Sequence, residues 1–441
     1  MDELNGSVDM NVMVVGSGGR EHALVRSLLQ SQEIERIWVA PGNGGTATLD
    51  RCQNLPVAAE DLEGLLHSCQ EKQVDLVVVG PEVPLALGLV DRLKTLGIPA
   101  LGPDQRGAQL EASKAWAKTF MAEEGIPTAR SATFSDRDQA LAYVRSQGAP
   151  IVIKADGLAA GKGVTVALTL AEAEAAIEAA WGGKFGAAGH CLVIEEYLKG
   201  VEVSLLALTD GQTLRPLLAA QDHKRIGEGD TGENTGGMGA YAPAPLATPD
   251  LLARITTEIL EPTIAGLRSR GIDYRGVLYA GLMITPEQEP KVIEFNCRFG
   301  DPETQVILPL LATPLLDVIL ACIHQRLADC PLQWRSGTAA TVVIAAPGYP
   351  GPYPKGSPIT GTAAAEANGA IVFHGGTQLE GQSLVTSGGR VLTVTALGDT
   401  FDQSFSKAYQ AIQAIDFEGM YYRRDIGYQV RSSDLGTGIA H

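Results

Sequence analysis

The sequence predicts a multidomain protein of mixed α/β and α+β class, and three observations lead to this class. Near the start, three apolar β-like runs alternate with helical runs, and each ends in a glycine-containing loop. At residues 151–166, two β-like runs flank a loop rich in glycine and lysine. From about residue 337, proline-rich and short β-like segments replace the helical ones.

A chain of 441 residues is too long for one hydrophobic core. We expect a Rossmann-like domain over residues 1–112, a central core over 113–335 and a β-rich domain over 336–441. The segment of about 131–199 holds the lysine loop and joins the core at two points, which predicts a mobile lid.

Composition excludes some classes of protein. The net charge is −17, whereas proteins that bind nucleic acid are usually basic, so we expect no nucleic-acid partner. The six cysteines form no CxxC pair, which is typical of free thiols in a reducing compartment such as the cytoplasm. The first ten residues are polar and acidic, unlike a signal peptide. The apolar run 306–323 is interrupted by two prolines and an aspartate, which predicts a buried helix pair and no membrane span.

The three N-terminal loops are the first candidate ligand site. A strand at 11–15 leads into the glycine turn 16–22 and a helical run, and strands at 37–40 and 74–79 end in the loops 41–46 and 80–82. In open α/β sheets, such strand ends line the ligand crevice. Every βα unit needs turn residues, so one glycine-containing loop alone does not indicate a ligand site. The prediction depends on all three loops together.

The lysine loop is the second candidate. Lys154 ends a β-branched run, and three glycines and Lys162 follow before the next β-like run. Backbone N–H groups in such a loop can cover phosphates while the lysines add charge. The loop is not a Walker A motif, because no Gly-Lys-Ser/Thr leads into a helix. A glycine-rich hairpin with exposed lysines is the alternative. We expect loss of Lys154 to weaken nucleotide binding with little effect on stability.

Three further features follow this loop in the sequence, and their order supports a nucleotide site. Residues 195–198 are typical of an extended hinge that reads a nucleobase edge, and Glu202 could accept hydrogen bonds from ribose hydroxyls. Glu294 and Asn296 are two residues apart on a β-like run, so both oxygens face one side. Mg²⁺ prefers one or two such oxygens together with phosphates. Cys297 beside them is expected to be a packed thiol.

These residues resemble the ATP-grasp superfamily and, within it, the phosphoribosylamine–glycine ligase family. Glu233 departs from the family pattern, which usually has proline before Asn234. The similar segments span the chain: residues 16–22, 41–43, 80–82, 154–164, 222–225, 234–239, 294–304, 387–391 and 422–427.

The resemblance implies a Rossmann-like domain, an ATP-grasp core with its lid, and a β-rich C-terminal domain. It implies that ATP, glycine and 5-phosphoribosylamine give glycinamide ribonucleotide, ADP and phosphate through glycyl phosphate, in de novo purine biosynthesis. The cofactors implied are ATP and Mg²⁺ or Mn²⁺. A cytoplasmic monomer that binds small molecules, with no membrane partner, is expected.

The resemblance also assigns roles to residues. ATP is expected at Lys114, Lys154, Gly157, Gly161, Lys162, Gly163, Glu195, Tyr197, Leu198 and Glu202. The metal is expected at Glu294 and Asn296, and the catalytic residues are Lys162, Arg298 and Asp301. Glycine and phosphoribosylamine are expected at Gly16, Gly18, Gly19, Arg20, Glu21, Asn43, Glu82, Asp222, His223, Lys224 and Arg298.

Two alternatives stay open. One is another ATP-grasp ligase, such as a formate- or bicarbonate-using purine enzyme or a D-alanine ligase; the N-terminal motifs and residues 298–304 argue against it. The other is a nucleotide-binding sensor without catalysis, which would be expected to lack Lys154, Glu294 or Asn296, and all three are present. Which of residues 222–225 contacts glycine and which the ribose phosphate is also open.

Overall fold

The computed structural model describes residues 9–158, 163–184 and 186–431. Gly161 and Lys162, both expected at the phosphates, lie outside the described residues.

The N-terminal region is a parallel α/β unit with the strand order β3-β2-β1-β4-β5. The three strands predicted from sequence are β1, β2 and β4, whereas β3 and β5 are too short to leave a periodic pattern. The elements are β1 (Met10–Gly16), α1 (Gly19–Leu28), β2 (Ile34–Pro41), β3 (Cys52–Asn54), α2 (Leu62–Glu71), β4 (Leu76–Val79), α3 (Glu82–Ala86), α4 (Leu89–Thr95), β5 (Ala100–Leu101) and α5 (Gln109–Ala112).

A second unit is an antiparallel sheet of order β6-β9-β7-β8 covered by two helices. The elements are α6 (Lys114–Glu123), β6 (Ser131–Phe134), α7 (Arg137–Gln147), β7 (Ile151–Ala155), β8 (Val164–Ala167), α8 (Leu170–Ala179) and β9 (Leu192–Glu196). Ser113 Oγ caps α6 by accepting from the N–H of Trp116 at 3.1 Å, and Thr169 caps α8 in a capping box.

The central unit is an antiparallel sheet of order β11-β10-β16-β17. The elements are β10 (Val201–Thr209), β11 (Leu214–Pro216), β12 (Gln221–Asp222), β13 (Arg225–Gly227), β14 (Thr231–Asn234), β15 (Gly239–Ala242), α9 (Pro249–Ile255), α10 (Glu261–Ser269), β16 (Gly276–Ile284), β17 (Pro290–Asn296), α11 (Thr304–Ile307) and α12 (Leu315–Ile323). The apolar run 306–323 is divided between α11 and α12, which confirms the buried helix pair. In the described part of the chain, no helix combines the length and apolar character that crossing a bilayer requires.

The last sheet has the order β12-β15-β18-β22-β19, so two strands from residues 221–242 join strands from the C-terminal region. Helix α14 packs on it through Phe405 and Ile412, and was not predicted. The elements are β18 (Thr338–Ala345), α13 (Thr362–Ala367), β19 (Ile371–His374), β20 (Thr377–Glu380), β21 (Ser383–Thr386), β22 (Arg390–Gly398) and α14 (Phe401–Ile412). This sheet brings the loops around β19 and β22 against the start of α1.

Candidate active site

A cavity of about 680 Å³ lies where β7–β9 face β16 and β17. Apolar side chains cover part of its wall, namely Val152, Val166, Leu198, Met283 and Phe295, and such a surface suits a flat base. Tyr197 and Leu198 of the predicted hinge also line it. The lysine loop contributes Gly157, Leu158, Gly163 and Val164 from its described part.

Three buried charges lie at the base of this cavity. Glu195 accepts from Lys118 at 3.1 Å through Oε1 and from Lys154 at 2.9 Å through Oε2. Each residue is less than a tenth exposed. Lys154 Nζ also donates to the carbonyl of Ile293 at 2.9 Å. An ammonium has three N–H donors, so Lys154 can serve both this network and a phosphate.

The lysine at the start of α6 holds the loop that follows β7. Lys114 Nζ donates to the carbonyl of Gly157 at 2.9 Å. Gly157 has a φ of 102°, a conformation that favours glycine. Asp156 accepts from Ser113 Oγ at 3.2 Å and from the N–H of Ala115 at 3.1 Å. The loop is therefore tied to the N-terminus of α6.

Acidic groups surround Lys224 in the middle of the cavity. Lys224 Nζ lies 3.0 Å from Glu202 Oε2 and 4.0 Å from Glu294 Oε1. Burial favours the neutral form of Glu294, but the ammonium groups of Lys224, Lys154 and Lys114 outweigh it and lower the pKa of that carboxyl. Burial, reinforced by the neighbouring carboxylates, raises the pKa of Asp222 to about 8 against the opposing charge of Lys224.

Glu294 and Asn296 both line the cavity from β17, as their spacing predicts. Their carboxylate and amide oxygens are the donors that Mg²⁺ prefers. No group of three or more His, Cys, Asp and Glu suited to a metal occurs within residues 9–158, 163–184 and 186–431. The donor set therefore fits a metal that completes its coordination with phosphate oxygens and water.

Arg298 is held by protein groups on several sides. Its guanidinium donates to Glu111 Oε1 at 2.7 Å, to Glu82 Oε2 at 3.3 Å and to Asn296 Oδ1 at 3.1 Å. These contacts fix the direction of the guanidinium and link Asn296 to the N-terminal region. Cys297 is buried, and its Sγ lies 3.2 Å from Glu111, so the expected packed thiol is confirmed.

A carboxylate that the sequence reasoning did not single out also faces this cavity. Glu303 is 3% exposed, and its Oε1 accepts from the hydroxyls of Tyr279 at 2.8 Å and Ser204 at 3.0 Å. Glu303 and Tyr279 both line the cavity.

A second cavity, of about 690 Å³, lies between the N-terminal loops and the C-terminal sheet. Its walls include residues 17–19 and 41–43 on one side, and residues 375–379, 387, 388 and 390 on the other. Asp301 and Arg390 line both cavities. Arg390 Nη1 donates to the carbonyls of Asp301 and Gly236 at 2.8 and 2.6 Å. These two residues form a wall shared by the two cavities.

The N-terminal turn uses two of its N–H groups for contacts within the protein. The N–H of Gly18 donates to Glu21 Oε2 at 2.5 Å, and that of Arg20 to Asp301 Oδ2 at 3.4 Å. Glu21 is buried and packs closely against Gly16 and Gly80. A Cβ added at Gly80 would lie 1.9 Å from Glu21 Oε1. Gly16 and Glu21, which were expected to contact substrate, line neither of the two cavities and instead support the turn.

His223 also differs from the prediction. Its Nε2 accepts from the N–H of Gly427 at 3.0 Å, and its Nδ1 lies 3.6 Å from Asp230 Oδ1. Both ring nitrogens thus face protein groups, whereas Asp222 and Lys224 on either side line the cavity. His223 directly follows β12, and its N–H still donates to the carbonyl of Gly239 at 2.9 Å. The chain is therefore extended here, and neighbouring side chains point to opposite faces.

Asn43 connects the loops of the second cavity. Its Nδ2 donates to the carbonyls of Ser17 at 2.9 Å and His374 at 2.7 Å, and its Oδ1 accepts from the N–H groups of Gly45 and Thr46. Gly18, Gly19 and Asn43 line the second cavity, while Arg20 and Glu82 line the first.

Family models match nearly the whole chain. The phosphoribosylglycinamide synthetase N domain matches residues 10–111, its ATP-grasp (A) domain 112–304 and its C domain 339–429. The chain belongs to the phosphoribosylglycinamide synthetase family.

Individual relatives agree with this family. The chain is 64% identical to a phosphoribosylamine–glycine ligase of Nostoc sp., over 96% of this chain and 100% of the relative. It is 50% identical to that of Vibrio vulnificus, over 95% and 98%. The crystal structure of a phosphoribosylamine–glycine ligase from Thermotoga maritima is 34% identical, has a TM-score of 0.81 and covers 94% of this chain and 100% of its own.

The ATP-grasp fold extends beyond the phosphoribosylglycinamide synthetase family. The biotin carboxylase domain of a Hydrogenobacter thermophilus 2-oxoglutarate carboxylase, described in complex with MgADP and bicarbonate, is 17% identical with a TM-score of 0.70, over 93% of this chain and 91% of its own. At this identity, the likeness concerns the fold alone.

Several residues of the site were missed in the sequence. Glu303 and Arg390 lie inside motifs that resemble the family, at 294–304 and 387–391, so their position was a usable signal. Lys118 lies one turn after Lys114 on α6, on the same helix face. The loop 375–379 carries no charge and left no signal.

Proposed function

We propose that this ATP-dependent ligase joins glycine to 5-phosphoribosylamine through glycyl phosphate, giving glycinamide ribonucleotide, ADP and phosphate in de novo purine biosynthesis. The observation that carries the proposal is the pair of cavities with one shared wall. One cavity has the charges that phosphoryl transfer needs, and the other has glycine loops from two regions of the chain.

In the first step, ATP occupies the first cavity, between the lid and the central sheet, with its base against the hinge at Tyr197 and Leu198. A carboxylate oxygen of glycine attacks the γ-phosphorus of ATP, and the bond from that phosphorus to the bridging oxygen breaks as ADP leaves. Two anionic groups must therefore approach each other. Lys114, Lys154 and Arg298 surround this position and reduce the repulsion. Loss of one such charge typically costs about 2.7–4 kcal/mol of transition-state stabilisation. Lys162, outside the described residues, is proposed to add to this charge.

Glu294 and Asn296 are proposed to hold Mg²⁺ or Mn²⁺. When bound, the metal neutralises phosphate charge and orients the transferring group. Arg298 donates to Asn296 Oδ1, which fixes the amide so that its oxygen faces inward. Lys224 beside Glu294 keeps that carboxyl ionised.

In the second step, phosphoribosylamine lies in the second cavity and its amine reaches across the shared wall. The new C–N bond forms as the bond between the acyl carbon and the phosphate oxygen breaks, and the proton that the amine loses passes to the departing phosphate. Burial opposes ionisation of Asp301, but Arg390 and Arg20 outweigh it and lower the pKa of that carboxyl. An ionised Asp301 can accept a hydrogen bond from the amine and orient it.

Residues 131–199 are proposed to act as a lid over ATP, within domains at 1–112, 113–335 and 336–441. Glycyl phosphate is unstable in water, so closure would protect it. We also propose a monomer in the cytoplasm. Six free cysteines, none of them in a disulfide, support a reducing compartment.

Release of ADP tests the proposal. It should require glycine and phosphoribosylamine together with Mg²⁺ or Mn²⁺. Glu294→Gln should abolish turnover while the circular dichroism spectrum stays unchanged, and the exposed Glu287→Gln should behave as wild type. Full activity in Glu294→Gln would remove the metal assignment, and ADP release independent of glycine would reject the proposed reaction.

A further inference from the structure

Asp301 lies on the wall shared by the two cavities, and its carboxylate needs a partner that fixes its direction. The last side-chain torsion of an aspartate has a broad energy minimum, so the carboxylate can turn. Arg390 Nη1 lies 3.4 Å from Asp301 Oδ1, and the N–H of Arg20 lies 3.4 Å from Asp301 Oδ2. Contacts of this length supply charge and a weak bond, but they leave the angle of the carboxylate loosely set.

Gln305 makes the short contact with this carboxylate. Its Nε2 donates to Asp301 Oδ1 at 2.7 Å, from a position one turn further along the chain in α11. Only the nitrogen of the amide can face an ionised carboxylate, because two acceptor oxygens repel each other. With Oδ1 held in this way, Oδ2 keeps only the long contact with the backbone of Arg20.

The other end of the same amide has no partner. Gln305 is fully buried, and in the part of the chain that the structure describes no group donates a hydrogen bond to its Oε1. A buried acceptor without a donor lowers stability. A methionine would fill a similar space without that loss, so the bond to Asp301 is what the glutamine adds.

The N-terminal turn makes room for this amide. A Cβ at Gly19 would lie 2.7 Å from Gln305 Nε2 and 3.4 Å from Thr393 Oγ1. The backbone at the start of α1 therefore packs directly against the amide and restricts its rotation. Any side chain at Gly19 would displace the amide that contacts Asp301.

The charges that act on Asp301 come from α1, from β22 and from its own segment. Burial raises the pKa of its carboxyl, but Arg390 on β22 and Arg20 on α1 outweigh burial and lower that pKa. Glu21 on α1 pairs with Arg20 at 2.5 Å, and the charge of Glu303 acts on Arg390. The amide on α11 is neutral, so it gives the carboxylate a direction without adding a charge.

We propose that Gln305 is a positioning residue for the second step, and that it turns Asp301 Oδ2 towards the amine of phosphoribosylamine. This inference rests on the proposed function. Asp301 lines both cavities, so a fixed carboxylate can meet the amine where they join. A carboxylate that is free to turn would meet the amine in only part of its orientations. Formation of the C–N bond would then slow, while ATP binding would stay the same.

Two variants of Gln305 should give different pH profiles of kcat. Gln305→Met removes the donor and should lower kcat by about 10- to 100-fold at every pH, the range for a lost hydrogen bond to a charged group. Gln305→Glu places two carboxyls side by side, and such a pair keeps one proton to a raised pH. The two arginines keep Asp301 ionised, so this proton belongs on the introduced carboxyl. That carboxyl then donates to Asp301 as the amide does.

The kcat of Gln305→Glu should therefore approach that of wild type at the acid end of the profile. As the pH rises and the shared proton is lost, it should fall to that of Gln305→Met or below. A merely structural role would not produce this new ionisation, because lost packing acts alike at every pH. Calorimetric binding of ATP should be unchanged in both variants. Gln70→Glu, on the exposed face of α2, is the matched control and should keep the wild-type profile.

Three results would contradict these expectations. Wild-type kcat in Gln305→Met would overturn the positioning role, and so would a loss of kcat matched by an equal loss of ATP affinity. A Gln305→Glu profile parallel to that of wild type would overturn it as well. Wild type that releases no glycine-dependent ADP would instead reject the proposed function.

Discussion

The buried charges of Lys118, Glu195 and Lys154 predict a definite order of stability losses. Glu195 is the carboxylate that both lysines contact, at 3.1 and 2.9 Å. Glu195→Gln leaves two ammonium groups without it, and removing one partner of a buried pair costs about 3–5 kcal/mol. Lys154→Met leaves Glu195 with Lys118, and its main loss is the bond to the carbonyl of Ile293. An unsatisfied buried acceptor costs about 1–3 kcal/mol.

We therefore expect Glu195→Gln to lower the free energy of unfolding by about 2 kcal/mol more than Lys154→Met. The sequence alone predicts little effect of losing Lys154 on stability, whereas its buried contacts with Glu195 and Ile293 predict a measurable loss. Urea unfolding without nucleotide, followed by tryptophan fluorescence, measures both. Trp116 on α6 stacks on Phe120, both of them two residues from Lys118, and reports on this region.

Binding of ATP separates the two roles of Lys154. One N–H of its ammonium remains for a phosphate, so Lys154→Met should weaken ATP binding by calorimetry, whereas Glu195→Gln acts on ATP only through disorder of the hinge. If Lys154→Met is at least as destabilised as Glu195→Gln, the claim that Lys118 still pairs with Glu195 after the loss of Lys154 is refuted. Unchanged ATP affinity in Lys154→Met would refute the phosphate contact.

Three further variants test the second cavity and the junction beside it. In Gly18→Val, a Cβ would lie 2.9 Å from Glu21 Oε2 and 3.2 Å from Asp301 Oδ2, so the KM for phosphoribosylamine should rise more than tenfold while ATP binding by calorimetry is unchanged. Arg390→Met removes the donor to the carbonyl of Asp301 and should lower kcat/KM for phosphoribosylamine without changing ATP affinity. Burial lowers the pKa of His374 to about 4. The stability from its neutral form is therefore complete above about pH 6.5 and lost as the pH falls towards 4. In urea unfolding over this range, His374→Gln should reduce the slope of stability against pH by up to about 1.4 kcal/mol per pH unit.

Each of these variants has a contradicting result. If Gly18→Val weakened ATP binding and spared phosphoribosylamine, the N-terminal turn would belong to the nucleotide site. Equal loss of ATP and phosphoribosylamine binding in Arg390→Met would remove its place in the shared wall. An unchanged pH slope in His374→Gln would show that its burial does not govern acid stability.

Local patterns in the sequence were enough to predict those strands, helix caps and residue pairs that lie within one short segment. β7 and β8 around the lysine loop, the caps at Ser113 and Thr169, and the pair Glu294 and Asn296 follow from spacing along one segment. The ATP-grasp fold class followed from the motifs and is confirmed by the matches of the family models.

Long-range geometry set the limit of prediction. Glu303 meets Tyr279 and Ser204, which are 24 and 99 residues away, and Arg390 meets Gly236 154 residues away. β12 and β15 pair with C-terminal strands, which no local pattern indicates. A motif also does not tell whether a side chain faces a ligand or the backbone, which is why Glu21 and His223 differ from their predicted roles.

The fate of the carboxylate oxygens of glycine tests the central claim most directly. Glycine labelled with ¹⁸O in both carboxylate positions would be turned over with ATP, Mg²⁺ and phosphoribosylamine, and the released phosphate would be analysed by mass spectrometry. If glycyl phosphate forms, one ¹⁸O atom from glycine appears in each phosphate released, because the broken bond joins the acyl carbon to that oxygen. Unlabelled phosphate, formed together with glycinamide ribonucleotide, would contradict the transfer of phosphate to glycine.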